Sequence, residues 1–386
     1  MTAGIAALTL AYVLSQFYRA FLAVLAPDME ADLGVTAAEL SRASGLWFLA
    51  FAAMQVPVGW ALDRIGPRAT AAALLAAGGA GGAALFAAAG SRWQVDLAMV
   101  LIGVGCSPVL MASYYIFART YRPAIFATLA GALIGVGSLG NIGAAWPLAL
   151  AAEWVGWRGA IAALAALTLA TAAACWALVR DPPPAEGAGE GSLLDLLRLP
   201  AMWAILPMML VNYAPAAGLR GLWAGPYVAE LYAAAAVGAV TTAMGLAMIA
   251  GNFAYGPLDR LLGTRKWVVL GGNLLGAACC AALWWAPAPG LWTSAALLMA
   301  IGALGSSFPV LVAHGRAFFP PALVGRGVTL MNLFGIGGVG VMQFATGPLF
   351  EAAGGGTAGY SALFGTFALA LLLGCAIYLA APDARD

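Results

Sequence analysis

The chain has 386 residues, 63% of them hydrophobic and 9% charged, with a formal net charge of +1. Soluble globular proteins carry about 25% charged residues, so this composition and a mean hydropathy of +0.93 exclude that class and specify a polytopic membrane protein. A near-neutral chain of this kind gives no reason to expect nucleic acid as a partner.

Apolar runs long enough to cross about 30 Å of hydrocarbon as helix follow one another at 3–26, 43–62, 69–89, 95–117, 124–150, 157–179, 201–225, 236–257, 267–286, 291–314, 325–347 and 358–381. The expectation is an all-α protein of twelve transmembrane helices. The first run begins directly at Met1 without a charged leader, so no cleavable signal is expected. Within it, Tyr12, Ser15, Gln16 and Arg19 fall at i, i+3, i+4 and i+7, a polar stripe on one helix face. An arginine at the centre of a membrane helix costs about 2.5–3.5 kcal/mol on insertion scales. Arg19 is therefore a candidate functional residue.

The fourth span ends at Arg119, and the fifth carries Gly140-Asn141-Ile142-Gly143. After the sixth comes the longest polar stretch, from Arg180 to Arg198, rich in Pro, Gly and Glu, which reads as a flexible linker. It divides the chain into an N-terminal six-helix half (1–180), a linker (181–199) and a C-terminal six-helix half (200–386). The seventh span repeats the pattern of the first: Tyr213 precedes Arg220 as Tyr12 precedes Arg19, with Asn212 alongside. Pro108-Val109-Leu110 likewise recurs as Pro309-Val310-Leu311, and Asp63-Arg64 as Asp259-Arg260. Two related six-helix halves are the organisation expected of a carrier with its site at the repeat interface.

Loop charges orient the chain. With both termini cytoplasmic, twelve basic residues, Arg385 in the tail among them, lie on the inner side and only Arg42, Arg92 and Arg158 on the outer. The five cysteines all fall within spans and read as small core residues. Apart from Asp96 at the outer end of the fourth, the spans contain no Asp or Glu, so the usual proton-relaying carboxylate at mid-membrane is missing. His314, the single histidine, stands at the inner end of the tenth span as a possible proton carrier or a structural residue. One histidine and no intramembrane acid also argue against an enzyme, a metal centre or a cofactor.

The run Gly59-Trp60-Ala61-Leu62-Asp63-Arg64-Ile65-Gly66-Pro67-Arg68 resembles the signature Gly-x-x-x-Asp-Arg-x-Gly-Arg-Arg of the major facilitator superfamily, with Pro67 in place of a basic residue. Gly256 to Arg265, carrying Asp259 and Arg260, is similar to its degenerate second copy. The resemblance extends over all twelve spans. It implies two pseudo-symmetric halves that rock about a central site, with Gly59, Asp63, Arg64, Gly66, Arg68, Asp259 and Arg260 in the conformational switch and Asp63 latching one side shut. Arg119 is the expected partner of Asp63; solvated, topology-fixing charges are the alternative.

The first-span tyrosine and arginine with the seventh-span arginine resemble the site plan of organophosphate/phosphate antiporters and related organic-anion carriers. On that likeness Arg19 and Arg220 bind a phosphate or carboxylate, with Tyr12, Tyr213, Gln16 and Asn212 around it. Gly140-Asn141-Ile142-Gly143 resembles part of the nitrate/nitrite porter signature, but the second and eighth spans lack that family's arginines. The expected function is secondary transport of a small organic anion by a monomer in the inner or plasma membrane. An inorganic-anion porter and a non-transporting sensor remain as alternatives.

Overall fold

The computed structural model describes residues 2–35, 37–183 and 192–384. The middle of the linker, 184–191, and Arg385 of the tail lie outside the described residues. Among those described there is no strand, and eleven helices are long and apolar enough to cross a membrane: Arg42–Arg64, Pro67–Ala87, Arg92–Thr120, Ile125–Gly143, Pro147–Leu178, Pro200–Leu231, Val237–Leu262, Lys266–Trp285, Leu291–Arg316, Val324–Ala352 and Gly356–Tyr378. The first span comes as two pieces, Thr2–Phe17 and Phe21–Leu33, separated at Tyr18–Ala20. Twelve spans result, most within a few residues of the sequence expectation. The fifth departs most: its helix is interrupted at Ala145 (φ −97, ψ −113), and Gly156 (φ 72, ψ 157) separates its continuation from the sixth.

Several spans are broken where proline removes an N–H from the ladder. The second is interrupted at Met54 ahead of Pro57, the fourth at Ser107-Pro108, the seventh at Tyr213 ahead of Pro215, and the tenth by a 3-10 turn at Gly305–Ser307 ahead of Pro309. No water inside a bilayer core is available to polar groups, and two buried side-chain amides bond back to their own helices. Gln55 Nε2 donates to Phe51 O at 3.0 Å, and Asn252 Nδ2 to Met248 O at 2.9 Å.

The chain forms two compact units: 1–121 with 136–191 and 320–333, and 122–135 with 192–319 and 334–386. Each six-helix half thus surrenders a short segment, the start of its fifth helix, to the unit built mainly from the other half. In the first unit, the three basic residues on the sparsely charged side all meet acids: Arg42 with Asp96 at 2.6 Å, Arg92 with Glu39 at 2.7 Å, and Arg158 with Asp32. These pairs are partly exposed, worth at most about 1 kcal/mol each. In the second unit, the core is aromatic, with Tyr227 edge-on to Tyr360 and Phe364.

Candidate functional site

Both intramembrane arginines sit where the helical backbone is irregular. Arg19 lies in the break of the first span, its N–H reaching Gln16 O at 3.3 Å three residues back. No Pro or Gly marks this break. Tyr18 is instead drawn across to the sixth span, its hydroxyl 2.8 Å from Thr168 Oγ1. Arg220 lies in a π-helical turn, Leu219–Trp223, a distortion often found at functional positions.

Aromatic faces hold the Arg19 guanidinium. Its Cζ is 5.1 Å from the Trp47 ring and 5.0 Å from the Phe51 ring, and those rings stack on each other at 5.0 Å. Such contacts contribute about 0.5–2 kcal/mol each, more as water is removed. The rings use only the π-cloud, so Nε and Nη2, both buried, have no hydrogen-bond partner. Those two nitrogens form the side-on fork that matches a carboxylate or phosphate. One turn back, Gln16 Nε2 donates to Tyr12 Oη at 2.9 Å, and both side chains are buried.

In the second unit, the Arg220 guanidinium lies over Gly245 of the eighth span. A Cβ there would stand 3.0 Å from Nε and Nη2, a tight contact that glycine avoids. Arg220 Nε is also buried without a hydrogen-bond partner. Tyr213 packs against Phe308 with ring centroids 6.0 Å apart. Among the described residues neither arginine is ion-paired with an acid. Asn212 is differently occupied: its amide donates to Asn273 and Ser307. Trp47, Phe51 and Gly245 were not singled out from the sequence. Placed in other spans without a repeat partner of the same type, they gave no signal.

The signature run meets a crossover segment. Gly59 backs onto the eleventh span, where a Cβ would clash with Thr329 and stand 3.3 Å from Arg326 Cα. Asp63 faces the first-turn N–H groups of Gly325 and Arg326, and Arg326 Nε is 3.2 Å from Asp63 Oδ2. Arg326 is thus the ion partner of Asp63. Arg119 contributes at longer range, with its Cζ 4.5 Å from the Tyr115 ring. Asn332, two turns further along the eleventh span, donates to Gln55 Oε1 at 2.9 Å.

Gly66 (φ 98) and Arg68 serve a second contact. The Arg68 N–H donates to Asp181 Oδ1 at 2.8 Å, its Nε to Trp176 O at 2.7 Å, and Gly66 leaves space for the Asp181 carboxylate. Pro67 opens the third helix at a position whose N–H would go unused anyway. In the second unit Asp259 pairs with Arg265 at 3.3 Å, and Arg260 Nη2 donates to Thr128 Oγ1 at 3.1 Å. Arg64 is exposed at the end of the second span.

His314 is fully buried with both ring nitrogens engaged. Nε2–H donates to Pro382 O at 2.8 Å, which leaves Nδ1 to accept from the Tyr378 hydroxyl at 2.6 Å. It ties the tenth span to the C-terminal segment.

The family model described as the Major Facilitator Superfamily matches residues 8–219, more than half of the chain. The chain belongs to this superfamily. Among solved structures it is similar to the fucose:proton symporter FucP of E. coli, with a TM-score of 0.73 over 97% of this chain and 98% of that one, at 14% identity. That likeness carries the fold alone. No functionally curated protein matches the sequence. The facilitator assignment makes the protein an integral membrane transporter of the secondary active class, not an enzyme.

Proposed function

We propose that this facilitator carries a small organic anion, a carboxylate or phosphate ester, through the inner or plasma membrane by rocker-switch alternating access, with both termini cytoplasmic. The supporting observation is the matched condition of Arg19 and Arg220. Each sits at a backbone irregularity, with a buried Nε that no protein acceptor uses. An unpaired guanidinium in hydrocarbon is costly, and an anionic substrate is the counter-ion that relieves it. Trp47 and Phe51 hold the Arg19 cation between transport events while its side-on fork stays open. Tyr12, Gln16 and Tyr213 supply neutral polar groups beside the two charges. The Asp63 contacts with Arg326 and the eleventh-span N-terminus act as the latch that must release in each cycle.

Uptake and counterflow in proteoliposomes test the reading, preceded by a thermal-shift screen of mono- and dicarboxylates, phosphate esters and inorganic anions. Arg19→Ala and Arg220→Ala are each expected to abolish both the anion-induced stabilisation and transport. Arg19→Lys keeps the charge but loses the fork, and most of the activity with it. Anion stabilisation that survives the double alanine variant would sink the assignment. Stabilisation by nitrate alone would move it to the inorganic-anion class.

A further inference from the structure

Inside the second unit the seventh, ninth and tenth spans meet at a knot of neutral polar groups. Asn212 Nδ2 donates to Asn273 Oδ1 at 2.9 Å and to Ser307 Oγ at 2.7 Å. Asn273 Nδ2 donates to Ser307 Oγ at 3.2 Å and to Val269 O at 2.8 Å. Relative exposures of 1% for Asn212, 2% for Asn273 and 0% for Ser307 remove the cluster from bulk solvent. One group is left over: Asn212 Oδ1 is buried with no hydrogen-bond partner. A buried amide oxygen in that condition has lost its hydration without return. For a neutral side chain in a helical core, this orphan calls for an explanation.

Two helix interruptions frame the knot. The seventh span breaks at Tyr213 ahead of Pro215, and the tenth runs as a 3-10 turn over Gly305–Ser307 ahead of Pro309. The breaks are in contact, since a Cβ on Gly305 would be 2.7 Å from Ala216 Cβ and 3.7 Å from Asn212 O. Interrupted membrane helices are where carbonyl oxygens become available to cations.

We propose that this knot is a binding site for Na+, with Asn212 Oδ1, Asn273 Oδ1, Ser307 Oγ and backbone carbonyls of the two interruptions as ligands. In the state described, the Asn212 NH2 group stands in for the cation, a partial positive charge between two oxygens. A half-turn of the amide exchanges Nδ2 for the orphan Oδ1. Three oxygens then converge with only the Ser307 O–H to share between the two amide oxygens, and a cation among them satisfies all three. The chemistry narrows the ion to a monovalent alkali cation. Amide, hydroxyl and carbonyl oxygens are hard donors that do not favour soft metals, and no carboxylate is present to balance a second charge.

The ion's role as the coupling ion rests on the transport reading above, but its binding does not. The one histidine has both nitrogens committed, and Na+ bound in the knot would couple transport to a Na+ gradient. Binding is tested on the full chain in detergent, without any organic anion, by replacing choline chloride with NaCl or KCl at constant ionic strength and following thermal unfolding. A saturable rise in Tm with Na+ that K+ and choline do not reproduce is expected. Ser307→Ala and Asn212→Leu should raise the half-saturating Na+ concentration about tenfold or more. Asn273→Asp, which adds ligand charge with almost no change in shape, should lower it by a similar factor. If Asn212→Leu fails to fold, Asn273→Asp and Ser307→Ala decide. Wild type without a Na+-specific rise, or Ser307→Ala with an unchanged one, overturns the site. Anion uptake by a protein whose Tm shows no Na+ shift would reject the cation site and keep the anion reading; a Na+ shift without anion uptake would do the reverse.

Discussion

Gly59 with Asp63 in the first unit and Gly256 with Asp259 in the second occupy equivalent places in the repeat, and each packs against a crossover helix end. In both, glycine lets a threonine-bearing helix approach: Thr329 lies on Gly59, and Thr128 lies on Gly256, with Thr128 Cα 3.1 Å from where a Cβ would be. There the likeness stops. The first joint is ionic and amide-bonded to the crossover helix, through Asp63 with Arg326 and Gln55 with Asn332. In the second, Asp259 spends its charge on Arg265, six residues away, while Thr128 bonds across, giving to Gly256 O at 3.0 Å and taking from Arg260, and Arg316 lies over the Phe126 ring. One backbone geometry is therefore held by a buried charge on one side and by glycine packing and a hydroxyl on the other. The first joint carries the larger electrostatic share.

Neutralising Asp63 gives the largest expected effect. Asp63→Asn leaves Arg326, whose side chain is 9% exposed, without its counter-ion. Removing one partner of a buried pair costs about 3–5 kcal/mol, read as a large fall in Tm together with a shift between the alternating states. Asp259→Asn breaks a pair that is also buried, both side chains 4% exposed, and should likewise cost about 3–5 kcal/mol, but without a shift between the alternating states, because Arg265 lies six residues away and not on the crossover helix. An equal shift from the two substitutions would erase the distinction between the joints.

The amide contact comes next. Gln55 and Asn332 are both fully buried, and Gln55 also donates to Phe51 O. A double-mutant cycle with Gln55→Leu and Asn332→Leu should give a coupling of about 1–2 kcal/mol. Asn252 in the second unit reaches only Ser306 Oγ at 3.4 Å beyond its own helix. Asn252→Leu with Ser306→Ala should therefore couple by about 0.5 kcal/mol or less. Thr128→Val, which removes one part-buried hydroxyl from the second joint, should lower stability by about 0.5–1.5 kcal/mol.

Much of this frame was legible in the sequence because hydrophobic length and repeated motifs are local signals. The spans, the duplicated Asp-Arg and the paired arginines could all be read from spacing. The partners could not. Arg326 was read as one more loop cation, and Arg119 looked the better mate for Asp63, because nothing local announces that the eleventh span's first turn belongs with the second span. One signal was present and unused: Thr128 and Thr329 keep the same offset as the Pro-Val-Leu repeat. The break at Arg19 was hidden for another reason. No helix-breaking residue marks it, and the Tyr18 bond to Thr168 in the sixth span that accompanies it is not a local signal. Asn212 was placed with the anion site by its neighbourhood to Tyr213, yet it projects into the Asn273–Ser307 knot.

The repeat also duplicates a smaller contact, and it yields the mildest prediction. An aspartate just after the last helix of each half caps the helix that follows the signature loop. Asp181 takes the Arg68 N–H, and Asp383 takes the Lys266 N–H at 3.2 Å and the Thr264 hydroxyl at 2.5 Å, while Lys266 Nζ holds Leu379 O at 2.7 Å. For Asp383 slight burial pushes the carboxyl pKa up, but the Thr264 hydroxyl, the Lys266 N–H and nearby His314 outweigh it and hold the pKa below its usual value. A carboxylate depressed on folding stabilises the native state above its unfolded pKa, and that stability is lost as pH falls through the folded pKa. Wild type should therefore unfold at a higher temperature than Asp383→Asn at neutral pH, with the gap closing below about pH 4. Because Asp383 is exposed, the gap is small and salt should shrink it further. A gap that persists unchanged into acid would mean that the contact is held by shape, without the charge. The C-terminal clamp would then be no different in kind from the joint at Gly256.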